Sequence, residues 1–203
     1  MSITVESISR VMADAAISIK QHEQALNAAD SRLGDGDTGG MLARVIGKMA
    51  EQDLSTAADP GAALGQLARA AASATGSSLG TLLATALLTI SRETKGRPEI
   101  DQSALSDLVG KARDAMMIRG GANLGDKTVL DAVDAAARAL SGAANPREAV
   151  AQAAQAALEQ FRDKPNRIGR ARMFGDATIG VDDPGMLAFA LLARDLSTTD
   201  QLD

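Results

Sequence analysis

Apolar residues recur at helical spacing along most of the chain. Ile8, Met12, Ala15 and Ile19 fall on one face of a segment spanning roughly 4–27, with the charged residues on the other. A second helix is read over 40–52, and further helical stretches near 79–93, 103–118 and 127–141. Three more starts carry an N-cap residue followed by proline at the first helical position: Asp59-Pro60, Asn145-Pro146 and Asp183-Pro184. Glu148, three residues after Asn145, completes the pattern of a capping box. These segments amount to about eight helices. No segment alternates apolar and polar residues with β-branched side chains, so the expected fold class is all-α, without a sheet.

The helical segments are separated by Gly76-Ser77-Ser78, Gly96-Arg97-Pro98, Gly120-Gly121, Ser141-Gly142 and the stretch 164–182. That last stretch, KPNRIGRARMFGDATIGVD, has no clear periodicity. Unstructured connections of this length inside a domain are commonly lids or binding loops. No internal repeat or linker divides the chain, so residues 1–203 read as one domain, long enough to bury a sizeable core.

Composition sharpens this picture. Only Phe161, Phe174 and Phe189 are aromatic, so the core must be aliphatic and rich in Ala, the strongest helix former. A net charge of −5 and a pI near 4.9 argue against nucleic acid as a partner. The lack of Trp and Tyr removes the usual platforms for stacking bases. The beginning of the chain does not read as a signal peptide, and LGTLLATALLTI is too short to span a membrane. With no Cys in the chain, a cytoplasmic location is the expectation, with no membrane partner.

The most concentrated chemistry lies in Asp30-Ser-Arg-Leu-Gly-Asp35-Gly-Asp37-Thr-Gly-Gly40, where three carboxylates fall within eight residues. Like charges this close repel, and a fold that keeps them together usually has a cation to place among them. Gly34 and Gly36 leave the backbone free to aim Asp35 and Asp37 inward. All the ligands on offer are hard oxygens, and His22 is the single His, which favours Mg²⁺ or Ca²⁺ over Zn²⁺. An EF-hand fails on spacing, because Ile46 falls where the bidentate Glu should stand. Mg²⁺ held by a few carboxylates is usually completed by water and substrate phosphates, so the physical reading is a Mg²⁺–phosphate site. A solvated Asp/Gly turn has the same composition, and residue types alone do not choose between them.

Other features are weaker one by one. The turn Thr75-Gly76-Ser77-Ser78-Leu79-Gly80 opens an apolar helix and offers donors to an anion. The stretch from Gly120 to Gly125-Asp126-Lys127-Thr128 is nearly a Walker A loop, but Asp126 intervenes before the Lys and no strand precedes it. It reads instead as a glycine turn feeding a helix, with Lys127 solvated. Gly169-Arg170-Ala171-Arg172 supplies guanidinium groups suited to phosphate oxygens, or equally a solvated basic loop. His22 reads as a surface or capping group. No arrangement for nucleophilic catalysis is present, and no catalytic residue is nominated.

Four motifs, in this order, resemble the L domain of dihydroxyacetone kinases. They are Asp30 with Gly34-Asp35-Gly36-Asp37-x-Gly39; Ser77-Ser78; Gly120 with Gly125-Asp126-Lys127-Thr128-x2-Asp131; and Gly169-Arg170-Ala171 with Ile179-Gly180-x2-Asp183-Pro184-Gly185. The resemblance spans nearly the whole chain and implies an eight-helix antiparallel barrel with a nucleotide at one end, under a long loop acting as a lid. It implies that Asp30, Asp35 and Asp37 bind two Mg²⁺ ions bridging the phosphates of ADP or ATP. Thr38, Gly39, Gly40 and Met41 would lie along the nucleotide, and Ser77 and Ser78 would donate to phosphate. Gly120 and Val129 would border the adenine or ribose, with Arg170 and Asp183-Pro184-Gly185 closing over the site. Leu79 or Val129 would supply the apolar contact that no aromatic residue provides. The sequence departs from one common form of the family at Thr38, where a His often follows the third Asp; a Thr hydroxyl bonds phosphate but cannot become cationic.

The family's companion K domain, which holds dihydroxyacetone covalently through a His, is not in this sequence. Three functions therefore stay open. One is a kinase subunit that needs a dihydroxyacetone-binding K partner, with either free ATP or a phosphotransferase-system phosphocarrier as the phosphoryl donor. Another is an ADP-loaded regulatory module docking on a transcription factor. The third is a helical bundle with no ligand. A related fatty-acid kinase carries such a domain within a much longer chain, and is the weaker relative.

Overall fold

Side-chain capping sets where most of the helices begin. The structure, a computed structural model, describes residues 2–199. Among them are eight α-helices: α1 Val5–Asp30, α2 Thr38–Ala50, α3 Pro60–Ala74, α4 Ser78–Thr94, α5 Leu105–Gly120, α6 Val129–Ala139, α7 Pro146–Arg162 and α8 Pro184–Thr198. The three Asx-Pro starts are helix starts. Asp59, Asn145 and Asp183 each accept a hydrogen bond from the backbone N–H three residues on, and Pro occupies the first helical turn. Asp59 also accepts from the Gly96 N–H (2.9 Å), which fastens the start of α3 to the end of α4.

Glu148 corrects one expectation. Its carboxylate takes up the side-chain amides of Asn145 (3.3 Å) and Gln152 (3.0 Å), so the reciprocal box does not form. Genuine capping boxes occur at Thr4/Ser7, opening α1, and at Thr128/Asp131, opening α6.

Each helix packs on its neighbours in the chain, and α8 returns against α1, so the helices close into a ring. Short connections between consecutive helices set neighbours antiparallel. The connections 31–37, 75–77, 121–128 and 163–183 gather at one end of the ring, where residues of all four line one cleft. The core is aliphatic, as composition requires. One cluster, including Ile19, Leu26, Val45 and Leu67, joins α1 to α4 with α8, and two smaller ones fill α4–α6 and α6–α8.

The opposite end holds the one sheet among the described residues, contrary to the expectation of none. Two two-residue strands, β1 Ser2–Ile3 and β2 Ile100–Asp101, pair antiparallel with Ile3 opposite Ile100. A pairing this short leaves no alternation to read in sequence. The long stretch 164–182 also differs from the expectation, because Ala171–Thr178 winds into 3₁₀ turns that kink at Gly175 (φ 52°). No helix among the described residues is long and apolar enough to cross a membrane.

Candidate functional site

The acidic stretch links the end of α1 to the start of α2 and is shaped by a division of labour among its carboxylates. Asp30, buried in the last turn of α1, accepts the backbone N–H groups of Asp37 (3.0 Å) and Thr38 (3.2 Å) through Oδ2. It satisfies the first donors of α2, which normally fall to the N-cap residue. Asp37 holds the N-cap position but makes no side-chain cap bond, which leaves its carboxylate for the cluster. Gly36, at φ 75°, supplies the left-handed turn that brings Asp35 and Asp37 back towards Asp30. One carboxylate oxygen from each of the three lies within 4.8 Å of the others.

Asp35 and Asp37 are exposed, and the Arg170 guanidinium reaches across from the 163–183 connection to pair with Asp35. That bond holds the Asp35 carboxyl below the usual carboxylate range and raises the affinity of Arg170 for its proton. The cluster therefore attracts a cation, and its all-oxygen donor set suits Mg²⁺ or Ca²⁺.

Beside the cluster opens a cleft of about 540 Å³ at the loop-gathering end of the ring. The sequence-predicted residues Asp30, Thr38, Ser77, Ser78, Gly120, Val129, Arg170, Asp183, Pro184 and Gly185 all line it, as does Leu79. Ser77 is the N-cap of α4, its Oγ accepting from the Gly80 N–H (3.0 Å) while Thr75 Oγ1 accepts from its own N–H (3.1 Å). The amides of Ser78 and Leu79 follow at the start of α4, where N–H groups have no partner within the helix. Four helices thus begin on the cleft, at Thr38, Ser78, Val129 and Pro184.

Gly39, Gly40 and Met41 lie off the cleft. A Cβ on Gly39 would collide with the Glu23 carbonyl and the Asn27 side chain, so this glycine lets α2 lie against α1. The Gly40 N–H donates to Asn27 Oδ1 (3.1 Å), and Met41 is buried in the core. The amides opening α2 are therefore turned onto α1. Asp35 and Asp37 stand with Arg170 at the rim.

Several residues at this end escaped the sequence reading. Lys127 is the foremost: expected to be solvated, it is completely buried, with left-handed backbone (φ 60°). Its Nζ donates to the carbonyls of Arg162 (2.9 Å), Lys164 (2.8 Å) and Thr178 (2.8 Å). Burial pulls its pKa down, against the attraction of Asp183. Asn166, also buried, donates from Nδ2 to the Lys127 carbonyl (2.8 Å) and to Asp183 Oδ2 (3.0 Å), while its N–H donates to Thr178 Oγ1 (2.9 Å). Asp183 is half-buried as a residue, but its carboxyl group is enclosed, and burial pushes it up to about 6. The Met186 N–H and Asn166 oppose that shift.

Asp131 accepts from Gly125 (2.6 Å) and Thr128 (2.9 Å), and burial raises its carboxyl as well. Arg162 forms a forked pair with Asp182 (2.7 and 3.1 Å). The only sequence signal for this network was the run Gly125-Asp126-Lys127-Thr128 itself. His22 stands apart from the cleft, bonded through Nε2 to Asp195 Oδ2 (2.8 Å) on α8.

The DAK2 domain family profile matches residues 32–198, with Asp35, Asp37 and every other cleft motif inside the match and Asp30 just before it. The chain belongs to the DAK2 domain family. This DAK2 domain is 32% identical to the L-erythrulose 1-kinase of Mycolicibacterium smegmatis over 200 residues, 95% of this chain and 34% of that protein. It is 27% identical to the ADP-binding subunit DhaL of the PEP-dependent dihydroxyacetone kinase 1 of Listeria innocua, with 90% of both chains covered. The chain thus spans about a third of the erythrulose kinases it matches and nearly all of a DhaL subunit. The fold superposes on the dihydroxyacetone kinase of C. freundii with a TM-score of 0.76 at 21% identity, over 95% of this chain and 34% of that one. The same enzyme in complex with AMP-PNP and Mg²⁺ gives a TM-score of 0.74 at 22% identity.

Proposed function

We propose that this DAK2 domain is the nucleotide-binding part of a kinase acting on dihydroxyacetone or a related short ketose. The observation that carries the reading is the convergence of Asp30, Asp35 and Asp37 at the rim of a cleft lined by four helix starts. Asp30, Asp35 and Asp37 would hold two Mg²⁺ ions, which neutralise phosphate charge and so favour phosphoryl transfer. The protein's own share is positioning. Ser77, Ser78 and the first amides of α4 donate to phosphate oxygens of ADP or ATP, and the Thr38 hydroxyl adds a neutral donor. Leu79, Leu82 and Val129 offer apolar surface to the base, with Gly120 leaving room beside Leu82. Arg170 supplies a guanidinium to the phosphates once a metal takes its place at Asp35. The 163–183 connection with Asp183-Pro184-Gly185 acts as the lid.

The acceptor ketose comes on a partner K subunit. This is supported by the family's occurrence both as one third of a longer kinase and as a separate ADP-binding subunit. ATP or a phosphotransferase-system phosphocarrier supplies the phosphoryl group, in the cytoplasm. The test mixes the chain with candidate K subunits and offers dihydroxyacetone or erythrulose, with ATP or a phosphorylated carrier as donor. Phosphorylated ketose appearing only when both proteins are present is the expected result. Transfer at the same rate without this chain would contradict it.

A further inference from the structure

We propose that Lys127 is a positioning residue for nucleotide binding, holding both feet of the 163–183 connection against the start of α6. This rests on the nucleotide reading of the cleft and adds a component to it. An ammonium group has three donors, and Lys127 spends all three on carbonyls converging from separate parts of the chain. Arg162 and Lys164 lie where α7 ends and the connection begins, and there the ammonium also meets the negative end of the helix dipole. Thr178 lies on the returning limb, which Gly180 fastens further by donating its N–H to the Arg162 carbonyl (2.8 Å).

The Lys127 carbonyl reaches the start of α8 through Asn166, whose side-chain amide also bonds Asp183. The next residue, Thr128, is the N-cap of α6 and lines the cleft. One buried residue is therefore tied to the start of α6, the end of α7, both limbs of the loop and the start of α8. Arg170 sits between the two fastened limbs, with exposed residues on either side of it. Its reach to the acidic cluster is fixed by where those limbs are held. Left-handed backbone at a non-glycine residue is strained, and this chain keeps it at the position that aims Lys127 into the network.

A neutral side chain at 127 would remove the ammonium from all three carbonyls, leaving Arg162 with the Gly180 N–H and Thr178 with the Val181 N–H, and would loosen the limbs. Lys127→Met in the full chain tests this, with amide hydrogen exchange measured without nucleotide and calorimetry with ADP and Mg²⁺. The expected outcome is faster exchange confined to 163–183, with α1–α4 unchanged, and Mg²⁺–ADP affinity lower by about tenfold. Adding Arg170→Ala should then cost much less than it does in the wild type, because Arg170 is already misplaced. Equal losses from Arg170→Ala in both backgrounds, or a uniform rise in exchange over all helices, would overturn the positioning role.

Absence of Mg²⁺–ADP binding in the wild type would overturn the nucleotide reading, and with it the purpose assigned to Lys127. Binding in the wild type with unchanged affinity and loop exchange in Lys127→Met would overturn the positioning role alone. Should Lys127→Met not fold, Lys127→Gln keeps a polar side chain but cannot supply three donors from one nitrogen to the carbonyls of Arg162, Lys164 and Thr178. Loop-confined exchange in that variant supports the proposal, and unchanged exchange contradicts it.

Discussion

Asp30 serves two ends at once. It caps α2 through Oδ2 and contributes an oxygen to the acidic cluster, so replacing it disturbs both fold and site. Asp35 and Asp37 are exposed and free of such duties to the fold, which makes them the cleaner probes. Asp183 has a different signature. Its carboxyl is raised in the folded protein from 3.8 to about 6, so the native state binds its proton more tightly than the unfolded chain does. Its contribution to stability is therefore fully present below pH 4 and lost as pH rises to 6, worth on the order of 3 kcal/mol. Asp183→Asn keeps an N-cap and removes the titration. Thermal melts from pH 4 to 7 should show the wild type losing stability relative to this variant as pH rises through that window. Parallel curves would contradict the assignment.

The acidic triplet was legible in sequence because its members are neighbours along the chain. Lys127 was not, because residue type suggests solvation, and its burial depends on carbonyls 35, 37 and 51 residues away.

Local chemistry decided where helices begin. Asx-Pro starts were readable because cap and proline act within four residues. The capping boxes opening α1 and α6 were not recognised, since Ser7 and Asp131 stand where Glu or Gln is the usual signal. The amides opening α2 could not be placed from sequence either. Their partners, Asp30 and Asn27, depend on how α1 and α2 pack, and that packing turns Gly39, Gly40 and Met41 off the cleft. A cap far from the cleft offers a test at this scale. Thr4→Ala removes the α1 box and should lower stability by about 1 kcal/mol in urea unfolding, with Mg²⁺–ADP affinity unchanged. An altered affinity would mean that the ring transmits changes from its far end to the cleft.

Closing α8 onto α1 sends four connections to one end of the molecule, and every carboxylate and donor assigned to the nucleotide lies on those connections or the helix ends beside them. The fold class and the order of the motifs were visible in one dimension. The ring is what makes them a single site, and the two short strands and the tied loop belong to contacts no local pattern encodes.

On the proposed function, the acidic triplet grips divalent cations that in turn clasp a nucleotide's phosphates. Calorimetry of ADP with and without Mg²⁺, on the wild type and on Asp35→Asn and Asp37→Asn, tests it most directly. Binding that requires Mg²⁺ and weakens at least about tenfold in each variant, with helix content unchanged, is the predicted result. ADP binding as tightly without Mg²⁺, or with both aspartates replaced, would contradict it.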